Sequence, residues 1–82
     1  MYSYKTSGVC SKEINFDIVD GKVSKVSFTG GCPGNLKGIS ALVEGMKIDE
    51  AITRLKGLTC GDKESSCPDQ LSKALEEYLK SN

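Results

Sequence analysis

The sequence predicts an α+β fold in which a three-stranded antiparallel sheet comes first and three helices follow, packed on one face of it. Two observations carry this prediction. Apolar residues alternate with polar ones up to Thr29 and then, after Pro33, recur with helical spacing. Between two alternating runs stands Asp20-Gly21, a pair in which both residues tolerate the positive φ of a tight hairpin turn. Three antiparallel strands with one apolar face need a helical layer to cover them, so the order β-β-β-α-α-α reads as a two-layer sandwich.

Taken in order, Tyr2, Tyr4 and Thr6 alternate in a first strand that ends near Gly8, before Cys10. Lys12 to Asp20 form a second strand, with Ile14, Phe16 and Ile18 on one face and Glu13, Asn15 and Asp17 on the other. Lys22 to Thr29 return as a third, with Val26 and Phe28 inward; Val23 breaks the alternation, which suits a bulge or an edge position. Pro33 suits the first position of a helix. The stripe of that helix is Leu36, Ile39, Val43 and Met46, with Leu42 beside it, and Gly45 stops it. Ile48 to Lys56 form a second helix, with Asp49 and Glu50 in its first turn, Ile52 and Leu55 inward and Gly57 at its end. A loop from Leu58 to Glu64 carries Cys60. The last helix runs from Ser66 to about Lys80, with capping-box spacing between Ser66 and Asp69 and an apolar stripe of Leu71, Ala74, Leu75, Tyr78 and Leu79. Tyr2 and Tyr4 read as half-buried strand residues, and Lys73, Glu76, Glu77 and Lys80 as a solvated helix face with i,i+4 pairs.

At 82 residues the chain, 1–82, reads as a single domain with a small core that a metal or a disulfide set would help. Eleven basic residues balance eleven acidic ones, which leaves no electrostatic footprint for nucleic acid. No apolar run approaches the roughly 18–20 residues of a membrane span. Met1-Tyr2-Ser3-Tyr4-Lys5 lacks the apolar stretch of a signal peptide, so the expected location is cytoplasmic. The four cysteines, Cys10, Cys32, Cys60 and Cys67, would suggest two disulfides in a secreted protein. In a reducing cytosol metal binding or redox chemistry is the better expectation. With no histidine, any metal must be held by thiolates, with or without a carboxylate.

The positions of the cysteines sharpen that expectation. Cys10 falls at the turn between the first two strands, Cys32 at the end of the third, and Cys67 at the start of the last helix. Gly30-Gly31-Cys32-Pro33-Gly34-Asn35 and Ser65-Ser66-Cys67-Pro68-Asp69 both set a cysteine against the first free amides of a helix, where negative charge is favoured. In a two-layer packing these ends can converge at one edge. No Cys-X-X-Cys pair occurs, so a site must be assembled from separate segments, as in iron–sulfur proteins with distant ligands. Thiolates suit zinc, iron clusters or copper(I). Simple packing of small buried cysteines is the plainer alternative. It suits one cysteine better than four at element ends, none inside an apolar stripe. The glycines around Cys32 also permit a phosphate cradle at the helix start, but the Lys-Ser/Thr of a P-loop is missing. Nothing in the chain resembles a hydrolase constellation.

Ser65-Ser66-Cys67-Pro68-Asp69 resembles the Thr-Ser-Cys-Pro-Asp signature of the TSCPD domain, with Ser65 in place of Thr. Together with the Cys32 segment and Leu58-Thr59-Cys60-Gly61, the resemblance covers nearly the whole chain and looks like the small stand-alone four-cysteine members of that family. The same domain occurs at the C-terminus of adenosylcobalamin-dependent ribonucleotide reductases, where the cysteines are presumed to bind metal. The chain has no room for the reductase barrel, so no catalytic activity of its own is expected.

A second resemblance is to IscU/NifU-type iron–sulfur scaffolds. It rests on Val43-Glu44-Gly45-Met46-Lys47-Ile48-Asp49-Glu50-Ala51, on Phe28-Thr29-Gly30-Gly31-Cys32 before a helix, and on Cys67 opening a terminal helix. It implies an IscU-like sandwich with Cys10, Cys32 and Cys67 as ligands. Three features depart from the scaffolds: Lys12 stands where they carry Asp, Ser66 where they carry His, and their Leu-Pro-Pro-Val-Lys docking segment is absent. Cys60 is additional and would make a fourth ligand.

The expectation is therefore a small module holding zinc or an iron–sulfur cluster through Cys10, Cys32, Cys60 and Cys67. A protein partner is implied, either a ribonucleotide reductase or the iron–sulfur machinery, and the chain itself is a monomer or a homodimer. The alternatives are a thiol–disulfide redox protein using Cys32 and Cys67, and a structural module whose metal replaces a missing core.

Overall fold

Six elements follow one another in the computed structural model, which describes residues 2–9, 11–31, 33–59 and 65–81. They are β1 (Tyr2–Lys5), β2 (Ser11–Val19), β3 (Lys22–Gly30), α1 (Pro33–Val43), α2 (Ile48–Leu55) and α3 (Cys67–Ser81). The sheet is antiparallel in the order β1-β2-β3, so the α+β expectation of three strands followed by three helices holds. Asp20 and Gly21 turn the β2–β3 hairpin with φ of 53° and 75°, the paired positive values that this tight turn requires. Cys10, Cys32 and Cys60 lie outside the described residues.

The bulge anticipated at Val23 is present and explains its phase. Asn15 faces Ser27 and Asp17 faces Ser24, so two steps along β2 match three along β3. Lys25, inside the longer arm, takes a φ of 53°. The extra residue reverses the alternation, and Val23 and Val26 both turn inward beside Ile14 and Phe16. A carboxylate holds the bulge: Glu44 accepts the Lys25 N–H at 2.9 Å and the Ser24 hydroxyl at 2.8 Å. Both bonds hold its carboxyl below the usual glutamate value, the Lys25 amide most strongly.

One hydrophobic core joins the sheet to the helices. Ile14, Phe16, Val23 and Val26 meet Val43 of α1, Ala51 and Leu55 of α2, and Leu71, Ala74 and Leu75 of α3. Helix α1 packs on β3, α2 on β3 and α3, and α3 on β2. Tyr2 stacks on Phe16 with ring centroids 5.6 Å apart and meets Tyr78 edge-on at 4.6 Å, joining β1 to the C-terminal half of α3 over the core.

Three details correct the sequence expectation. Met46 does not extend the stripe of α1, because the helix ends at Val43 and the chain then pairs with β3. Val23 donates to Met46 O at 2.8 Å and accepts from Gly45 N at 2.8 Å, which covers the outer edge of that strand. Leu42 is 77% exposed and Leu79 44%, so neither belongs to the core. On α3, Lys73 makes its i,i+4 pair with the buried Asp69 at 3.6 Å, and Glu76 reaches Lys56, just after α2, at 3.2 Å.

Candidate functional site

The start of α3 gathers an unusual number of buried polar groups. Ser65, Ser66, Asp69, Gln70 and Ser72 are all buried, as is Ser11 at the start of β2. Burying polar atoms is costly unless each is hydrogen-bonded, and among the described residues no buried side-chain nitrogen or oxygen lacks a partner.

Ser66 caps the helix. Its hydroxyl oxygen accepts the Asp69 N–H at 3.2 Å and its proton goes to Leu58 O at 2.7 Å. The capping-box spacing is thus half used, because the Asp69 carboxylate does not turn back to Ser66. It accepts instead from Gly57 N–H at 2.7 Å and from the Ser65 hydroxyl at 2.5 Å, with Lys73 at 3.6 Å. Burial alone would push this carboxyl up and is the largest single influence. The hydrogen bonds from Ser65 and Gly57, aided by Lys73, outweigh it together and hold the carboxyl below its usual value. Pro68 stands in the first helical turn, where a missing N–H breaks no helical bond.

Cys67 is the first residue of α3 and is half-buried. The Ser11 hydroxyl lies 3.1 Å from its sulfur. Ser11 is 2% exposed, pairs with Gly30 of β3 and follows Cys10 in the chain. Gly31, which precedes Cys32, packs against the same residue. A Cβ added at Gly31 would come within 3.4 Å of Ser11 N and 2.7 Å of Leu36 Cδ1, and its φ of +81° is itself glycine-favouring. The chain neighbours of Cys10 and Cys32 therefore meet at Ser11, in contact with Cys67. The segment before Cys60 is tied to the same helix start through Gly57 and Leu58.

Of the four predicted ligands, Cys67 alone lies within the described residues, and Cys10, Cys32 and Cys60 lie outside them. Among the described residues no group of three or more His, Cys, Asp or Glu side chains is placed to hold a metal ion. Beside Gly30 and Gly31 an open groove of about 360 Å³ runs between β3 and α1 over Val26, Phe28 and Leu36, with Lys37 and Ser40 on its wall.

Sequence reasoning missed Ser11, Gln70 and the placement of the Asp69 carboxylate. Gln70 carried a readable signal: it precedes Ala74 by four residues and Tyr78 by eight, so it lies on the inward stripe and needs partners there. Ser11 carried none, since a serine next to a cysteine is ordinary.

No helix among the described residues is long and apolar enough to cross a membrane. No curated protein and no solved structure matches the chain, so the likeness to iron–sulfur scaffolds rests on sequence motifs alone. The family profile of the TSCPD domain matches residues 2–79, nearly the whole length, and the chain belongs to the TSCPD domain family.

Proposed function

We propose that the chain is a small cysteine-ligated metal-binding module that holds zinc or an iron–sulfur cluster through Cys10, Cys32, Cys60 and Cys67. The observation that carries this reading is the meeting at Ser11: this residue, next to Cys10, touches Cys67 and packs against Gly31, next to Cys32. Cys10 and Cys32 are each one residue from this junction in sequence, and the proposed site draws on that proximity. The donor chemistry fits: soft thiolates, no histidine, and a helix start that favours negative charge. The Ser11 hydroxyl supplies an outer hydrogen bond to a ligand sulfur. A bound metal would tie separate segments together and add stability to a small core.

The partner that goes with this role is a protein, a ribonucleotide reductase or a component of iron–sulfur assembly, as the family resemblance implies. Catalysis by the chain alone is not proposed.

Anaerobic purification with metal analysis and a visible spectrum tests the reading. Stoichiometric zinc, or iron with cluster absorption, is expected. A colourless, metal-free, fully folded protein with reduced thiols would overturn it. The hydrogen bond to the Cys67 sulfur also serves thiol–disulfide exchange, with Cys32 and Cys67 as the pair. A reversible disulfide between those two residues in metal-free protein would favour that second chemistry.

A further inference from the structure

Gln70 is 3% exposed on the inward stripe of α3, where an apolar residue would ordinarily sit. Its orientation is dictated by its neighbours. The Ser65 proton goes to the Asp69 carboxylate, so the Ser65 oxygen receives the Gln70 amide nitrogen at 3.0 Å. That turns Gln70 Oε1 toward the N–H of Ser7, which donates to it at 3.1 Å across 63 positions of sequence. Ser7 belongs to the loop between β1 and β2 that leads into Cys10. The base of this loop is closed by Thr6, whose N–H donates to Lys12 O at 3.2 Å and whose hydroxyl donates to Ser11 O. The bond from Ser7 joins the loop to the helical layer.

We propose that Gln70 is the positioning residue of the cysteine site: its amide fastens the loop leading into Cys10 to the helix start that presents Cys67. The inference rests on the reading of these cysteines as one site. A core-filling role does not account for the arrangement, because a satisfied polar pair contributes little more than an apolar isostere of the same shape. The ties radiating from this corner end close to cysteines. Ser7 stands three residues before Cys10, Leu58 two residues before Cys60, and Ser11 directly after Cys10.

The test is the effective concentration of the Cys10 thiol for the Cys67 thiol, read in the metal-free full-length chain. Cys32 and Cys60 are replaced by serine, and the disulfide is equilibrated against glutathione. Gln70→Met keeps the volume and removes both hydrogen bonds; Ser7→Pro removes the same N–H from the exposed loop and leaves the core intact. Each variant is expected to lower the effective concentration about tenfold, the scale of one hydrogen bond, with the far-UV circular dichroism unchanged. The parent value in either folded variant would overturn the proposal, and so would a parent chain that forms no Cys10–Cys67 disulfide. In the four-cysteine chain, Gln70→Met is expected to weaken Co²⁺ binding by about tenfold or more. A parent that takes up no Co²⁺ sinks the metal reading alone, since the thiol equilibrium still decides on Gln70.

Discussion

The hydroxyl of Ser11 lies 3.1 Å from the sulfur of Cys67, 56 positions away in the chain. This single contact joins the sheet to the first residue of the last helix, at the corner where Gly30 and Gly31 also pack on Ser11. At 2% exposure Ser11 has almost no access to solvent, so its proton depends on the protein for an acceptor. Sulfur is a weak acceptor as a thiol and a stronger one as a thiolate or metal ligand.

Ser11→Ala therefore separates two contributions. In reduced, metal-free protein the expected loss is about 0.5–1.5 kcal/mol, seen as a lower urea midpoint at unchanged slope. Under the proposed metal-binding function, the affinity for Co²⁺ is expected to fall about tenfold, because the Cys67 sulfur would lose an outer hydrogen bond. Unchanged stability together with unchanged affinity would show that the contact contributes nothing.

The elements were legible because each was announced by a local pattern. The hairpin follows from Asp20-Gly21, and the bulge from Val23 falling out of phase with Val26. Met46 was misplaced because helical periodicity cannot tell a last helical turn from a chain that leaves the helix to pair with β3. Leu42 and Leu79 look apolar in sequence, yet α1 and α3 each have enough inward positions without them. The corner around Cys67 was only half legible. The motif Ser65-Ser66-Cys67-Pro68-Asp69 announces a helix cap, but the Gly57 amide and the Ser65 hydroxyl that hold its carboxylate depend on tertiary placement. Nothing local in a sequence reports a bond across 56 or 63 positions.

Asp69 is a buried carboxylate at this corner that binds two donors. At 5% exposure its carboxylate accepts from the Gly57 amide and the Ser65 hydroxyl. Asp69→Ala strands the buried Ser65 hydroxyl and removes the bond from the exposed Gly57, and is expected to cost roughly 2–4 kcal/mol, from about 1–3 kcal/mol for the stranded hydroxyl and about 1 kcal/mol for the lost bond. Asp69→Asn retains one acceptor for Gly57 but offers Ser65 a donor in place of an acceptor. Its expected cost is roughly half as large. At about 0.05–0.15 kcal/mol of stability per residue, roughly 4–12 kcal/mol for 82 residues, a loss of this size is a large fraction of the total. Urea unfolding measures both. An alanine variant within about 0.5 kcal/mol of the parent, the range of an ordinary surface change, would contradict the role assigned to this carboxylate.

Glu44 gives the fold a pH dependence at the β2–β3 bulge. Its carboxylate accepts the Lys25 N–H and the Ser24 hydroxyl at the bulge, and these bonds hold its carboxyl below the ordinary glutamate value. A carboxyl with a lowered value in the folded chain binds its proton less readily there than in the unfolded chain. Its contribution to stability is then complete above the unfolded value, about pH 4.3, and disappears as the pH falls through the lower folded value. Glu44→Gln cannot ionise and lacks this contribution at every pH. Asp69, also held low, titrates in the same acidic range in both proteins, so the difference between parent and variant isolates Glu44. Urea midpoints measured from pH 6 down to pH 3 should show a constant advantage for the parent above about pH 5 that shrinks as the solution becomes more acidic. An advantage that persists undiminished at pH 3, or one that grows on acidification, would mean that the Glu44 carboxylate does not hold the bulge through its charge.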